Sequence, residues 1–285
     1  MARAANSPEF HCGRFRLSLD RPLVMAIINV TPDSFSGDGV AGQRDYAVRL
    51  AEQAIAEGAD ILDIGGESSR PGAAAVGLQE ELDRVMPIVE ALAQADVPLS
   101  VDTVKPAVMT AAARAGVAII NDINGLREPG AVEAVAATSI GVCLMHMQGE
   151  PRTMQSAPQY TDVVTDVSGF LKKRGDILQS AGVAPERILV DPGFGFGKTL
   201  EHNLTLFAAL PRLCELGYPL LIGVSRKSML GQITGQPVAQ RLAASITAAV
   251  LAVQGGASIV RVHDVAATRD ALAVMAAVQA RQLNS

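Results

Sequence analysis

The chain has no tryptophan and only 4% aromatic residues, so large rings do not supply its apolar interior. Its 49% hydrophobic content is carried by Ala, Val, Ile and Leu, the composition of parallel strands buried beneath Ala-rich helices. Cysteine is scarce as well. Cys12, Cys143 and Cys214 are odd in number, far apart and outside any Cys-x-x-Cys spacing, which argues against a disulfide framework or a structural zinc site and suits a reducing, cytoplasmic compartment. The net charge is only −5, and no Lys/Arg cluster is long enough to track a phosphate backbone. Nucleic-acid binding therefore lacks electrostatic support, and a small-molecule substrate is expected. Long apolar runs are missing too. The one uncharged stretch, 242–260, is interrupted by Gln254, Gly255 and Gly256 and diluted by Ser245 and Thr247, so it reads as a buried helix, a turn and a strand, and no membrane association is expected. The opening MARAANSPEFHCGRF has no apolar core before a small-residue cleavage site and reads as a frayed tail rather than a secretory signal.

What is present is an alternation. The 285 residues leave room for two ordinary domains or for one α/β barrel, which needs about 250. Short β-branched runs at 24–30, 61–64, 99–101, 118–121, 141–145, 188–190, 220–223 and 258–262 predict eight strands. Between them, segments of helical period at 44–57, 79–94, 106–115, 163–179, 200–216, 238–253 and 266–280 predict helices. Gly58, Gly116, Gly182, Gly217 and Gly255 follow helical runs where a left-handed cap is wanted. No Pro/Ser-rich linker divides the chain. The expected fold is a single-domain (β/α)8 barrel over 21–285, preceded by a tail and lead-in at 1–20. A doubly wound open sheet is the alternative that the same alternation allows.

Each strand run ends in a polar or charged residue: Asn29, Asp63, Asp102, Asn121, His146, Asp191, Ser225 with Lys227, and Arg261 with His263. Any one of these alone reads as a strand cap or the start of a turn. In a barrel, however, all of them converge on one mouth, where the active sites of this fold sit. Asp102 and Asp191 follow runs that should be buried, so each carboxylate wants either a donor-rich ligand or an internal Lys or Arg. A flat heterocycle with a guanidine-like edge, read by a carboxylate beside an amide such as Asn121, meets the first need. Arg261 and His263, two apart on one strand face, suit a phosphate or diphosphate together with Asn29. GFGFGKT at 193–199 ends like a phosphate-binding loop but fails on spacing, because Pro192 stands where that pattern needs its first glycine. What remains is a glycine-rich turn that offers Phe194 and Phe196 either as a wall for a planar substrate or to the core. TPDSFSGDG at 31–39 and GGESSRPGA at 65–73 read as loops that close over substrates.

NVTPDSFS at 29–36, DIGGESSRPGA at 63–73, SVDT at 100–103, INDI at 120–123, LMHMQG at 144–149, DPGFGFGK at 191–198, SRKSMLG at 225–231 and RVHDV at 261–265 together resemble the motif series of the bacterial dihydropteroate synthase family. The resemblance implies that 6-hydroxymethyl-7,8-dihydropterin diphosphate and 4-aminobenzoate condense to dihydropteroate and diphosphate, with Mg2+ assisting, in folate biosynthesis. It implies sulfonamides as competitors and a homodimer. Carried onto this sequence, it places Asp102, Asn121, Ile123, Met145, Asp191, Phe196 and Lys227 around the pterin. Asn29, Ser69, Arg70, Arg261 and His263 go to the diphosphate, with Asn29 also on the metal. Phe35, Ser69, Arg70, Pro71, Phe196, Ser225 and Lys227 frame the aminobenzoate, and Asp102, Asp191, Lys227, Arg261 and His263 carry the catalysis. Two departures stand out: Ser69 where the family commonly has Thr, and FSGDG where FSDGG is more familiar, which shifts Asp38.

The implied chemistry cleaves a C–O bond to a good leaving group, with positive charge growing on the pterin methylene near Asp102 and Asp191, so an SN1-like path is expected. A neutral arylamine needs no strong base. Two rivals share the pterin pocket. A pterin-dependent methyltransferase has no use for the anion-binding groups, and a non-catalytic pterin-binding paralogue would lack working loops.

Overall fold

β-branched runs too short to form helices pair side by side as strands, and the Ala-rich segments between them cover the outside. The structure, a computed structural model, describes residues 8–30, 39–68, 72 and 75–282, without the side chains of 39–43 and 282. A hairpin of β1 (Glu9–Cys12) and β2 (Phe15–Ser18) comes first. The barrel strands are β3 (Leu23–Asn29), β4 (Ile61–Gly65), β5 (Leu99–Asp102), β6 (Ile119–Asp122), β7 (Gly141–Met145), β8 (Ile188–Asp191), β9 (Leu221–Ile222) and β10 (Ile259–Val262). The helices among them are α1 (Gly39–Ala56), α2 (Leu78–Ala91), α3 (Pro106–Arg114), α4 (Ala131–Ala136), α5 (Val163–Ser180), α6 (Leu200–Ala208), α7 (Leu210–Cys214), α8 (Ser228–Thr234), α9 (Leu242–Gln254) and α10 (Val265–Gln282).

The eight barrel strands run parallel in the order β8-β7-β6-β5-β4-β3-β10-β9. A parallel bridge between Val190 and Leu220 joins the two ends, so the sheet closes and the open doubly wound alternative is excluded. No helix among the described residues is long and apolar enough to cross a membrane.

Four expectations are corrected. The opening segment is not frayed throughout, because Phe10 and Cys12 of β1 are fully buried at the N-terminal end of the barrel against Met25, Ile61, Ile119, Cys143, Leu189 and Ile259. Gly141 makes room for them, since a Cβ there would lie 2.4 Å from Phe10 Cζ. The helix expected over 200–216 is two, α6 and α7, broken where Pro211 enters the first turn of the second without an N–H to donate. The helix expected from 238 begins at Leu242 after a short 3-10 turn. Finally, Gly255 keeps a right-handed conformation at φ −78°, and Gly256 takes the left-handed one at φ 103°.

Candidate active site

Side chains two apart on a strand share a face, and in a closed barrel one of the two faces is the interior. Met25, Ile61, Ile119, Cys143, Leu189, Leu221 and Ile259 form the apolar layer over the hairpin. One step of two residues up each strand gives the next interior layer: Ile27, Asp63, Asn121, Met145, Asp191, Gly223 and Arg261. A further step gives Asn29 and Gly65, and His263 beyond the end of β10. The polar strand ends of the sequence therefore share one mouth.

At its centre is Arg261. Its Nε donates to Asp63 Oδ2 at 2.6 Å and its Nη2 to Asp102 Oδ2 at 3.2 Å. Asp63 is fully buried and also accepts from Ser100 Oγ at 2.5 Å and Asn121 Nδ2 at 3.1 Å. Burial works against the Arg261 charge, but the carboxylates of Asp63 and Asp102 outweigh it and hold its pKa above the ordinary arginine value. Burial pushes the Asp102 carboxyl up to about 7, opposed by Arg261. Arg261 thus gives Asp102 an internal cation through one oxygen while the carboxylate still lines the cavity, and it serves Asp63 as well, a residue with no role expected from the sequence. The same test of a carboxylate closing a buried run reaches Asp63 as readily as it reaches Asp102 and Asp191.

Asp191 is satisfied differently, accepting from the backbone amide of Gly193 at 2.7 Å. Burial raises its pKa, with the Lys227 charge the largest opposing influence. Lys227 donates to Phe194 O at 2.5 Å and stands 4.7 Å from the centre of the Phe196 ring. Burial lowers its pKa to about 8, against the pull of Asp191. Phe194 and Phe196 divide the roles left open for them. Phe194 is fully buried in the core beside Phe207, whereas Phe196 packs with Met145, Met147, Met154 and Ile123.

SRKS and RVHD meet across β9 and β10. Ser225 Oγ lies 3.0 Å from His263 Nδ1, and Arg226 pairs with Asp264 through two guanidinium nitrogens. Arg226 is left-handed, with φ 59°, an uncommon conformation for a residue with a side chain that here turns the chain between Ser225 and Lys227.

A cavity of about 810 Å³ opens over this layer, with Asn29, Asp102, Phe196, Ser225, Lys227, Arg261 and His263 among its lining residues. Asn121, Met145 and Asp191 are almost fully buried and do not line it. A second cavity of about 770 Å³, with Ile123, Met147 and Arg127 in its wall, shares Asp102, Glu67 and Ser68 with the first. Gly65 and Gly223 border these groups: a Cβ on Gly65 would make ordinary contact with Asn29 and Asp102, and one on Gly223 with Arg261. Phe35, Asp38, Ser69, Arg70 and Pro71 lie outside the described residues. Among the described residues, no group of three or more His, Cys, Asp or Glu could hold a metal ion. The oxygen that Asn29 brings to the cavity suits a hard cation that arrives with phosphate oxygens and water as its other ligands.

Residues 25–263 match the family described as pterin binding enzyme. The chain is 53% identical over 268 residues to the dihydropteroate synthase of Neisseria meningitidis serogroup C, covering 92% of this chain and 95% of that one. The chain belongs to the dihydropteroate synthase family. Among solved structures of that family, the Burkholderia cenocepacia dihydropteroate synthase complexed with 7,8-dihydropteroate matches with a TM-score of 0.89 at 55% identity, over 98% of this chain and 99% of that one. The Xanthomonas albilineans dihydropteroate synthase with 4-aminobenzoic acid matches with a TM-score of 0.91 at 54% identity, over 96% and 99%. Of the fifteen expected side chains, eleven are described and stand around this dihydropteroate synthase mouth, in or above the interior layer, and the hydrogen bonds reveal three residues that were not assigned roles: Asp63, His146 and Lys198.

Proposed function

We propose that this chain condenses 6-hydroxymethyl-7,8-dihydropterin diphosphate with 4-aminobenzoate to give 7,8-dihydropteroate and diphosphate, a step of folate biosynthesis. The observation that carries this reading is the interior layer itself. Groups that read a donor-rich heterocycle, Asp102, Asn121 and Asp191, stand in the same ring of strands as the anion-binding Arg261, His263 and Asn29.

In this reaction the C–O bond between the pterin methylene and the diphosphate breaks and its electron pair leaves with the diphosphate. The arylamine nitrogen then forms the new C–N bond and gives up a proton. Arg261 and His263 neutralise the charge growing on the leaving group. Asp102 and Asp191 stabilise the positive charge spreading into the ring, which favours an SN1-like path. Phe196 with Met145 and Met147 packs the ring and excludes water, and Lys227 and Ser225 orient the second substrate. Asn29 offers the oxygen that would hold a Mg2+ ion, whose chemistry is neutralising charge on the diphosphate. Sulfonamides compete as mimics of the aminobenzoate. The enzyme works as a homodimer in the cytoplasm; exposed Ile233, Leu251, Val274 and Val278 on α8, α9 and α10 supply apolar surface for a partner, and the three free thiols suit a reducing compartment.

The test is diphosphate release on mixing the protein with the pterin diphosphate and Mg2+, with and without 4-aminobenzoate. Amine-dependent release is expected. Pterin binding with no release under either condition would move the chain to the non-catalytic reading, and methyl transfer from a reduced folate would move it to the methyltransferase.

A further inference from the structure

The segment that follows β8 is held by nearly every polar group it has. Gly193 O and Phe196 O accept from Lys198 Nζ at 2.9 and 3.0 Å, Phe194 O from Lys227 Nζ, Gly195 O from Gln155 Nε2, and Gly197 O from Tyr160 Oη at 2.8 Å. On the amide side, Gly193 N donates to Asp191, and Gly195 N donates to Asn203 Oδ1 at 2.8 Å. Gly193 and Gly197 are left-handed, and a Cβ on them would come within 1.9 Å of His146 O and 2.3 Å of Gln148 O. Such a loop is held at both its carbonyls and its amides. Of its two rings at the cavity wall, Phe194 is fully buried in the core and Phe196 packs with the methionines.

Lys198 is the group beneath it. The residue is 3% exposed, and besides the two loop carbonyls its ammonium meets His146 Nδ1 at 2.9 Å and His146 O at 3.4 Å. Among the described residues, no carboxylate lies within ion-pair distance of it. Burying a cation on neutral acceptors costs more than burying an apolar side chain of the same length, so filling space does not account for a lysine here. Burial lowers its pKa to about 7, and whether an ammonium with three donors or an amine with two, the group can tie separate segments at one point as an apolar chain cannot. Here it ties the end of β7, through His146, to both ends of the turn that carries Phe196.

We propose that Lys198 is a positioning residue for the pterin site: it touches no substrate, and it fixes the Phe196 ring against Met145 and Met147 so that the pterin wall is formed before the substrate arrives. This inference rests on the pterin reading of the cavity. The effect is larger on pterin binding than on the aminobenzoate, because the carbonyls held by Lys198 belong to the turn that packs Phe196 with Met145 and Met147, while the aminobenzoate meets only the outer side of that turn.

The experiment compares wild type, Lys198→Met and Lys198→Gln by circular dichroism, by direct titration with the pterin diphosphate, and by steady-state kinetics varying each substrate. Both variants are expected to fold, to bind the pterin about tenfold or more weakly, and to raise the aminobenzoate KM by clearly less, about two- to threefold. Unchanged pterin binding in a folded variant overturns the proposal, as does an equal loss for both substrates. If neither variant folds, Lys198 is a structural residue and the proposal is likewise overturned. A wild-type protein that neither binds the pterin nor releases diphosphate would instead overturn the functional reading, and this inference with it.

Discussion

His146 stands just past β7 with its ring buried, edge-on to Phe170 at 5.0 Å and with Nδ1 facing the Lys198 ammonium. Burial, and then the Lys198 charge, lower its pKa to about 3. The folded protein therefore resists a proton that the unfolded chain accepts at about 6.5. The stability contributed by the neutral ring is whole above about pH 6.5 and is lost as pH falls from there toward 3, by up to about 1.4 kcal/mol per pH unit. Asp122, raised to about 6 mainly by burial, acts with the opposite sign over part of that range. A comparison of variants is thus needed to isolate His146. Urea unfolding at a series of pH values should show a shallower acid limb for His146→Gln than for wild type. Identical limbs would mean that the ring does not resist protonation in the fold. At this scale the sequence was readable where a residue's burial and polarity conflict, as at Asp102 and Asp191. Which partner resolved the conflict was not readable.

At the scale of elements, the barrel strands were legible because each is buried on both faces and reads as a short, mostly apolar run that opens with apolar residues. The hairpin was not. In β1 and β2 only Phe10 and Cys12 are fully buried, while Glu9, His11 and Arg16 alternate with less exposed neighbours, so the apolar signal is two residues long. α4 and α8, of six and seven residues, are too short for a helical period to show. Since β1 closes the end of the barrel away from the mouth, Phe10→Ala should destabilise the fold by about 3–5 kcal/mol. Turnover per folded molecule should stay near wild type. Chemical denaturation and active-site titration of the same preparation check both; a loss of turnover in fully folded protein would contradict the separation of floor and mouth.

For the whole molecule, position along a strand was enough to predict which residues gather at the mouth, because the two-residue step is set by the backbone alone. Contacts across the barrel were a different matter. Arg261 and Asp63 are 198 residues apart and meet only because β10 pairs with β3, and β3 with β4, around the closed ring. His146 and Lys198 meet because the chain turns back after β8 beneath its own glycine-rich loop. Neither pairing has a signature in local periodicity, so the sequence marked which residues gather at the mouth and left their wiring to the fold.

The assignment of the barrel mouth to the pterin is tested by dihydropteroate formation by Asp191→Asn, which keeps the shape of the side chain and removes its charge. The prediction is correct folding by circular dichroism and a fall in kcat/KM for the pterin diphosphate of about 100-fold, the loss of a buried charged partner for the heterocycle. A folded Asp191→Asn protein with wild-type kcat/KM would contradict the assignment of the barrel mouth as the pterin site.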